Sequence, residues 1–333
     1  MNHKSIRLFL VIILLSLTFS TPGASAQTPT LPPKQPAVSY TVQDVPALLE
    51  HAGLSPDSIL STSTSAGEGD YEWHTFYGGI DSDNSCAIAL DSSGNVYVIG
   101  SSDASWNGPT GQLPLHAHSG DRDVFVLKLS SAGAYQWHTF YGGSAEDHGL
   151  AAVLDSGGNV YVTGYSYASW KGPAGQLPLH AYSGGLYNVF VLKLSSAGAY
   201  QWHTFYGGSS SDVGSAAVLD SIGNVYVSGS SGSSWNGPAG QLPLHAHSGG
   251  GDAFVLKLSS AGAYQWHTFY GGSGTDYGQA TALDSSGNVY VFGYSLASWN
   301  GPDGQLPLHA HSGADDVFVL KLSSAGAYQW HTF

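Results

Sequence analysis

Residues 328–333 read Tyr328-Gln329-Trp330-His331-Thr332-Phe333, and the Trp-His-Thr-Phe string within them also begins at Trp73, Trp137, Trp202 and Trp266. Successive copies lie 64, 65, 64 and 64 residues apart. The one extra residue falls between Ser183 and Val189, where a loop absorbs it. A fixed period with a single loop insertion means that one structural module is used repeatedly.

Working outward from this string, each unit holds four strand-like segments. In the last unit they are Gln279 to Leu283, Val289 to Phe292, Val317 to Leu322 and Tyr328 to Phe333. Asp284-Ser285-Ser286-Gly287-Asn288 joins the first two. Its Asp can cap the turn and its Gly can take positive φ, so a tight hairpin is expected, as at Asp91, Asp155 and Asp220. The third segment alternates with period two. Phe318, Leu320 and Leu322 share one face, and Val317, Val319 and Lys321 share the other.

Four short strands that meander and then repeat describe an all-β fold, a β-propeller of four-stranded blades with about four tandem repeats. The first three segments occur four times and the fourth five times. That count points to a fragment of a larger ring, the alternative being a four-bladed ring with a spare edge strand.

Composition agrees with many short strands. Of 333 residues 10% are charged, with 45 glycines and 15 prolines, a balance that disfavours helical bundles. The net charge of -14 repels phosphate backbones, so nucleic acid is not an expected partner. Lys4 and Arg7, the apolar run Leu8 to Phe19 and Ala24-Ser25-Ala26 make residues 1–26 read as a secretory signal peptide. The run is too short to span a bilayer, so no membrane span is expected after cleavage, and the chain is expected to be secreted or at the cell surface. Residues 27–70 read as a Pro/Ser/Thr-rich linker, with a short helix over 44–52 between Asp44 and Gly53. Residues 71–333 form the repeat domain. Cys86 is the single cysteine, read as a small buried thiol.

The motifs Tyr-Gly-Gly followed by Asp, Ala-x-x-Leu-Asp (Ala280 to Asp284), Gly-Asn-Val-Tyr-Val (Gly287 to Val291) and Val-Phe-Val-Leu-Lys-Leu (Val317 to Leu322) resemble the bacterial SBBP-type β-propeller repeat. The likeness runs through about residues 71–333. It implies four-stranded blades, usually in exported bacterial proteins, and implies no reaction. A loop of about 20 residues between segments two and three lengthens the period beyond that of common propeller repeats.

That loop carries Trp106, Asn107 and Gln112 in the first unit, Trp170 and Gln176 in the second, where Lys171 replaces Asn, and Trp235, Asn236, Gln241, Trp299, Asn300 and Gln305 in the others. An exposed Trp beside amides would stack on a sugar face. The competing reading is that Trp and two leucines anchor the loop. His116 and His118, His245 and His247, and His309 and His311 sit two apart, so an extended chain would aim both imidazoles at a zinc-like ion. Asp83, Asp147, Asp212 and Asp276 follow each Tyr-Gly-Gly, where a carboxylate and carbonyls would hold calcium or the Asp would cap its loop. The series His74, His138, His203, His267 and His331 reads as an edge-strand surface position. Lys128, Lys193, Lys257 and Lys321, inside apolar strands, call for the carboxylates of Asp91, Asp155, Asp220 and Asp284.

Near-identical units place the same groups on every blade, whereas catalysis needs unlike groups at one spot. Arg122, Glu146, His148 and Tyr187 break the repeat, but they are scattered along the chain and form no recognisable triad. The expected function is therefore a non-catalytic, exported scaffold or multivalent binding module for a glycan or surface protein, without a cofactor. The alternatives are a polysaccharide hydrolase or lyase and a purely structural cell-surface spacer.

Overall fold

Every unit folds as its motifs require, into an antiparallel meander whose four strands pair in chain order. A computed structural model describes residues 72–333. The signal peptide, the linker and the helix over 44–52 fall outside the described residues. Blade 1 consists of β1 (Asp83–Leu90), β2 (Val96–Ser102), β3 (Asp123–Leu129) and β4 (Tyr135–Tyr141). Blade 2 consists of β5 (Asp147–Leu154), β6 (Val160–Ser166), β7 (Asn188–Leu194) and β8 (Tyr200–Tyr206). Blade 3 consists of β9 (Asp212–Leu219), β10 (Val225–Ser231), β11 (Asp252–Leu258) and β12 (Tyr264–Tyr270). Blade 4 consists of β13 (Asp276–Leu283), β14 (Val289–Ser295), β15 (Asp316–Leu322) and β16 (Tyr328–Thr332).

The first strand of each blade starts earlier than its alternation suggests. β13 begins at Asp276 rather than Gln279 because a bulge between Gly278 and Ala280 shifts its register. Such a bulge breaks the period-two pattern by which a strand is recognised. Its counterpart between Ser85 and Ala87 leaves Cys86 outside the ladder, and the thiol is exposed, not buried. Gly293, which faces the bulge, has no room for a side chain: a Cβ there would overlap the Tyr277 carbonyl oxygen.

The core lies between blades. Tyr97, Ile99, Val124 and Val126 on one face of blade 1 pack against Val160, Val162, Phe190 and Leu192 on the facing side of blade 2. The third strand uses both sides of its alternation. Phe190, Leu192 and Leu194 face blade 1, while Val189 and Val191 join the core shared with blade 3.

The first strands lie innermost, with β1 beside β5, β5 beside β9 and β9 beside β13. β13 and β1 share no comparable contact, so the row of four blades is open. Ile88 and Leu90 at one end, and Phe292 and Val317 at the other, are exposed in consequence.

The spare first copy of Trp-His-Thr-Phe, residues 73–76, is not itself a strand. Trp73 packs on Gly133, as Trp137 packs on Gly198, Trp202 on Gly262 and Trp266 on Gly326. Its indole N–H donates to the Ser131 carbonyl at 3.2 Å. It therefore stands where the fourth strand of a preceding blade would stand.

The glycines beneath these tryptophans do two jobs. Gly198 has φ +80°, and a Cβ on it would lie 2.5 Å from Leu115 Cδ1 and 3.0 Å from the Trp137 ring. Gly304 has φ +79° with open space around it. Gly304→Ala should therefore cost only the left-handed backbone strain, about 1 kcal/mol. Gly198→Ala should cost roughly 2 kcal/mol more, because it also wedges a blade junction. Guanidinium unfolding of the two variants checks this difference.

Candidate functional site

The surface of interest is built by the long loops between the second and third strand of each blade, residues 103–122, 167–187, 232–251 and 296–315. A turn closes each loop on itself. Gly108 N–H donates to the Gln112 carbonyl at 2.8 Å, and Thr110 N–H donates to Gln112 Oε1 at 3.0 Å. Gln176, Gln241 and Gln305 repeat the side-chain bond, each at 2.9 Å.

The tryptophans hold the loops down. Trp106, Trp170, Trp235 and Trp299 are buried, stacked on His138, His203, His267 and His331 with centroids 4.2, 3.9, 4.0 and 3.9 Å apart. His138 Nε2–H donates to the Trp106 carbonyl at 2.9 Å, and its Nδ1 accepts from the Tyr135 hydroxyl at 2.8 Å. Two sequence expectations are thereby corrected. The indoles are not available to stack on a sugar, because their rings are spent on imidazole and phenylalanine neighbours. The histidines from His138 to His331 are buried ring partners and not edge-strand surface positions. Burial holds His203 and His267 down to about 4, so they stay neutral. The missed signal is that a loop Trp and a strand His recur together in each of these four units.

What the loops present instead is leucine. Leu113, Leu177, Leu242 and Leu306 are 75, 71, 75 and 76% exposed, flanked by exposed Asn107, Asn236 and Asn300. Leu115, Leu179 and Leu244 lean on the glycine of the following blade, Gly198, Gly262 and Gly326. Between two such loops runs a groove of about 360 Å³ lined by Leu179, Pro238, Gln241 and Tyr264 among others.

The His-Ala-His pairs fasten the loop ends. His116 Nδ1–H donates to the Phe140 carbonyl at 2.7 Å, and His118 Nε2–H donates to the Ser102 carbonyl at 3.0 Å. The two imidazoles thus bind different strands. Among the described residues no three His, Cys, Asp or Glu side chains gather as a metal-holding group.

Asp83, Asp147, Asp212 and Asp276 accept the N–H of Gly79, Gly143, Gly208 and Gly272 at 2.7, 2.8, 2.8 and 2.8 Å. Each also accepts from a serine hydroxyl, Ser102, Ser166, Ser231 or Ser295. The expected lysine pairs form at Lys128–Asp91 (3.8 Å), Lys193–Asp155 (4.0 Å) and Lys321–Asp284 (4.0 Å). Lys128, Lys193 and Lys257 also donate across the junction to the carbonyls of Ser196, Ser260 and Ser324.

Arg122, Glu146, His148 and Tyr187, distant in sequence, are not scattered in space. The chain brings them to one rim of blades 1 and 2. There His148 bonds Glu146 at 2.9 Å and stacks on Tyr165, which in turn meets Tyr187.

These features define a β-propeller repeat protein with four-stranded blades and long surface loops. Residues 72–105 match the family model of the SBBP beta-propeller repeat. The chain is 28% identical over 239 residues to the regulatory protein FlaEY of Caulobacter vibrioides, covering 71% of this chain and 24% of that protein. It is 25% identical over 261 residues to the uncharacterized WD repeat-containing protein L264 of Acanthamoeba polyphaga mimivirus, covering 64% and 18%. The chain thus spans a quarter or less of the length of these relatives. Among solved structures, a protein of unknown function from Bacteroides caccae aligns with 74% of this chain and 81% of its own, at 11% identity and a TM-score of 0.34.

A carboxylate pair at the blade junctions sets a pH dependence. Asp123 and Asp147 both crowd Gly142, where an added Cβ would touch each of them. Burial, with the Asp123 charge adding to it, pushes Asp147 up to about 8. Burial raises Asp123 as well. Blade 2 carries Asn188 at the place of Asp123. A carboxyl raised in the fold contributes most below its unfolded value near 4, and that contribution is lost as pH rises through the folded value. Asp123→Asn should leave stability at about pH 3 unchanged, because there the carboxyl is protonated in both the folded and the unfolded chain. At about pH 8 it should raise stability by about 1 kcal/mol, on the order of 2–4 °C in melting temperature. Paired melts at the two pH values check this.

Proposed function

We propose that this chain is an exported, non-catalytic propeller scaffold whose long loops grip a protein partner at several equivalent points. The supporting observation is the row of exposed leucines, Leu113, Leu177, Leu242 and Leu306, displayed once per blade on loops that Trp–His stacks hold rigid. An exposed apolar side chain at one place is ordinary, but the same one at four repeated places is a surface with a use. Identical weak contacts on a rigid frame add through effective concentration, which suits a repeat protein better than a single deep pocket. The positive start, apolar run and small-residue site of residues 1–26 support export. A relative named as a regulatory protein and another with WD repeats are in keeping with a binding module.

The test is biolayer interferometry of the purified chain against the extracellular and surface protein fraction of the producing bacterium. Leu113→Ser, Leu177→Ser, Leu242→Ser and Leu306→Ser together should weaken binding at least about tenfold, or ~1.4 kcal/mol. The melting temperature should hold, because these side chains pack on nothing that the fold needs. A quadruple variant that binds like the parent would refute the reading.

A further inference from the structure

We propose that the rim of blades 1 and 2 is a separate binding platform for a neutral oligosaccharide, formed by Tyr165, Tyr167 and Tyr187 with polar groups of Glu146, Arg122 and Asp103. The units are nearly identical in their cores but differ at one end of the strands. The rim position just before the first strand is Ser82, Glu146, Ser211 and Thr275 in blades 1 to 4. The position just after the second strand is Asp103, Tyr167, Gly232 and Leu296, and that just before the third is Arg122, Tyr187, Gly251 and Asp315. The extra residue of the second unit lies in the segment that delivers Tyr187. Variation that gathers at one edge of an otherwise uniform scaffold is where a specific ligand is read.

The three tyrosine rings are tilted 44–60° to one another, so they make a faceted apolar surface that suits a puckered ring and not a planar one. Tyr165 stacks on His148 at 4.5 Å and 12°. Tyr187 lies 4.8 Å from Tyr165 and 5.1 Å from Tyr167. Three rings that touch one another leave no space for a cation among them, so they make a platform and not a cage of the kind that holds a quaternary ammonium group. Tyr167 is 38% exposed, and Tyr165 and Tyr187 are half-buried.

Hydrogen-bonding groups stand at the platform's edge. Arg122 is fixed by Asp103 at 2.5 Å and 3.0 Å. The half-exposed Glu146 carboxylate is oriented by His148 at 2.9 Å. Apolar ring faces beside the half-exposed Glu146 carboxylate and the Arg122 N–H groups not used by Asp103 match the C–H face and hydroxyl edge of a sugar ring. The net charge of -14 repels uronic-acid and sulfated glycans, which leaves neutral hexose and hexosamine chains. Blade 4 carries only a two-ring version, Tyr277 on Tyr294 at 4.7 Å, because Leu296 and Asp315 replace the outer rings, and it serves as an internal control.

Isothermal titration of the full chain with cellohexaose, chitohexaose and mannohexaose tests the proposal. At least one should bind, and Tyr167→Ala or Tyr187→Ala should weaken that binding about tenfold. Tyr167→Phe, which keeps the ring, and Tyr294→Ala should bind like the parent. The quadruple leucine variant should also retain sugar binding, so this site and the loop surface succeed or fail separately. Absence of binding by all three oligosaccharides, or full binding by both alanine variants with an unchanged melting temperature, would overturn it.

Discussion

A single four-stranded sheet of this kind cannot bury its own two faces, and every other feature follows from its need for a neighbour. Blade 1 hides Tyr97, Ile99, Val124 and Val126 only because blade 2 offers Val160, Val162, Phe190 and Leu192. The same residue types recur at the next two junctions. Stability of such an array is close to a sum of nearest-neighbour terms. The two end faces show the converse, since residues buried at internal junctions are exposed there.

The second constraint is the closure of the long loops. Twenty residues without secondary structure would ordinarily be mobile, yet each loop is tied at three places. The Trp–His stack holds its start, the glutamine turn its middle and the two histidines or His–Tyr pair its end. Because burial keeps the stacked imidazoles of His203 and His267 neutral, the Trp–His part of the anchoring there does not depend on pH in the physiological range. The result is a rigid frame on which exposed leucines and rim tyrosines can be presented without an ordering cost at binding.

Much of the fold was legible in the order of residues. The period, the four strands, the Asp-Gly hairpins and the lysine–aspartate pairs at Asp91, Asp155 and Asp284 all follow from local pattern and elementary electrostatics. Cys86 was misread because a bulge is invisible to an alternation argument. The histidines of the fourth strand were misread because alternation assigns a face but not a partner. His203 meets Trp170 from a loop 33 residues away, and a lone imidazole on a strand gives no hint of that ring.

The sequence by itself determined that one module is repeated, what its strands are and where its turns fall, because these depend on contacts between near neighbours in the chain. Only the tertiary structure decided which conspicuous residues are used internally and which face outward. Tryptophans that looked fit for a ligand went into the core, and leucines that looked fit for the core came out. Residues as far apart as Asp103 and Tyr187 met on one rim. The physical reason is that exposure and convergence are set by how blades pack on one another, and each such contact joins residues from different units of the repeat.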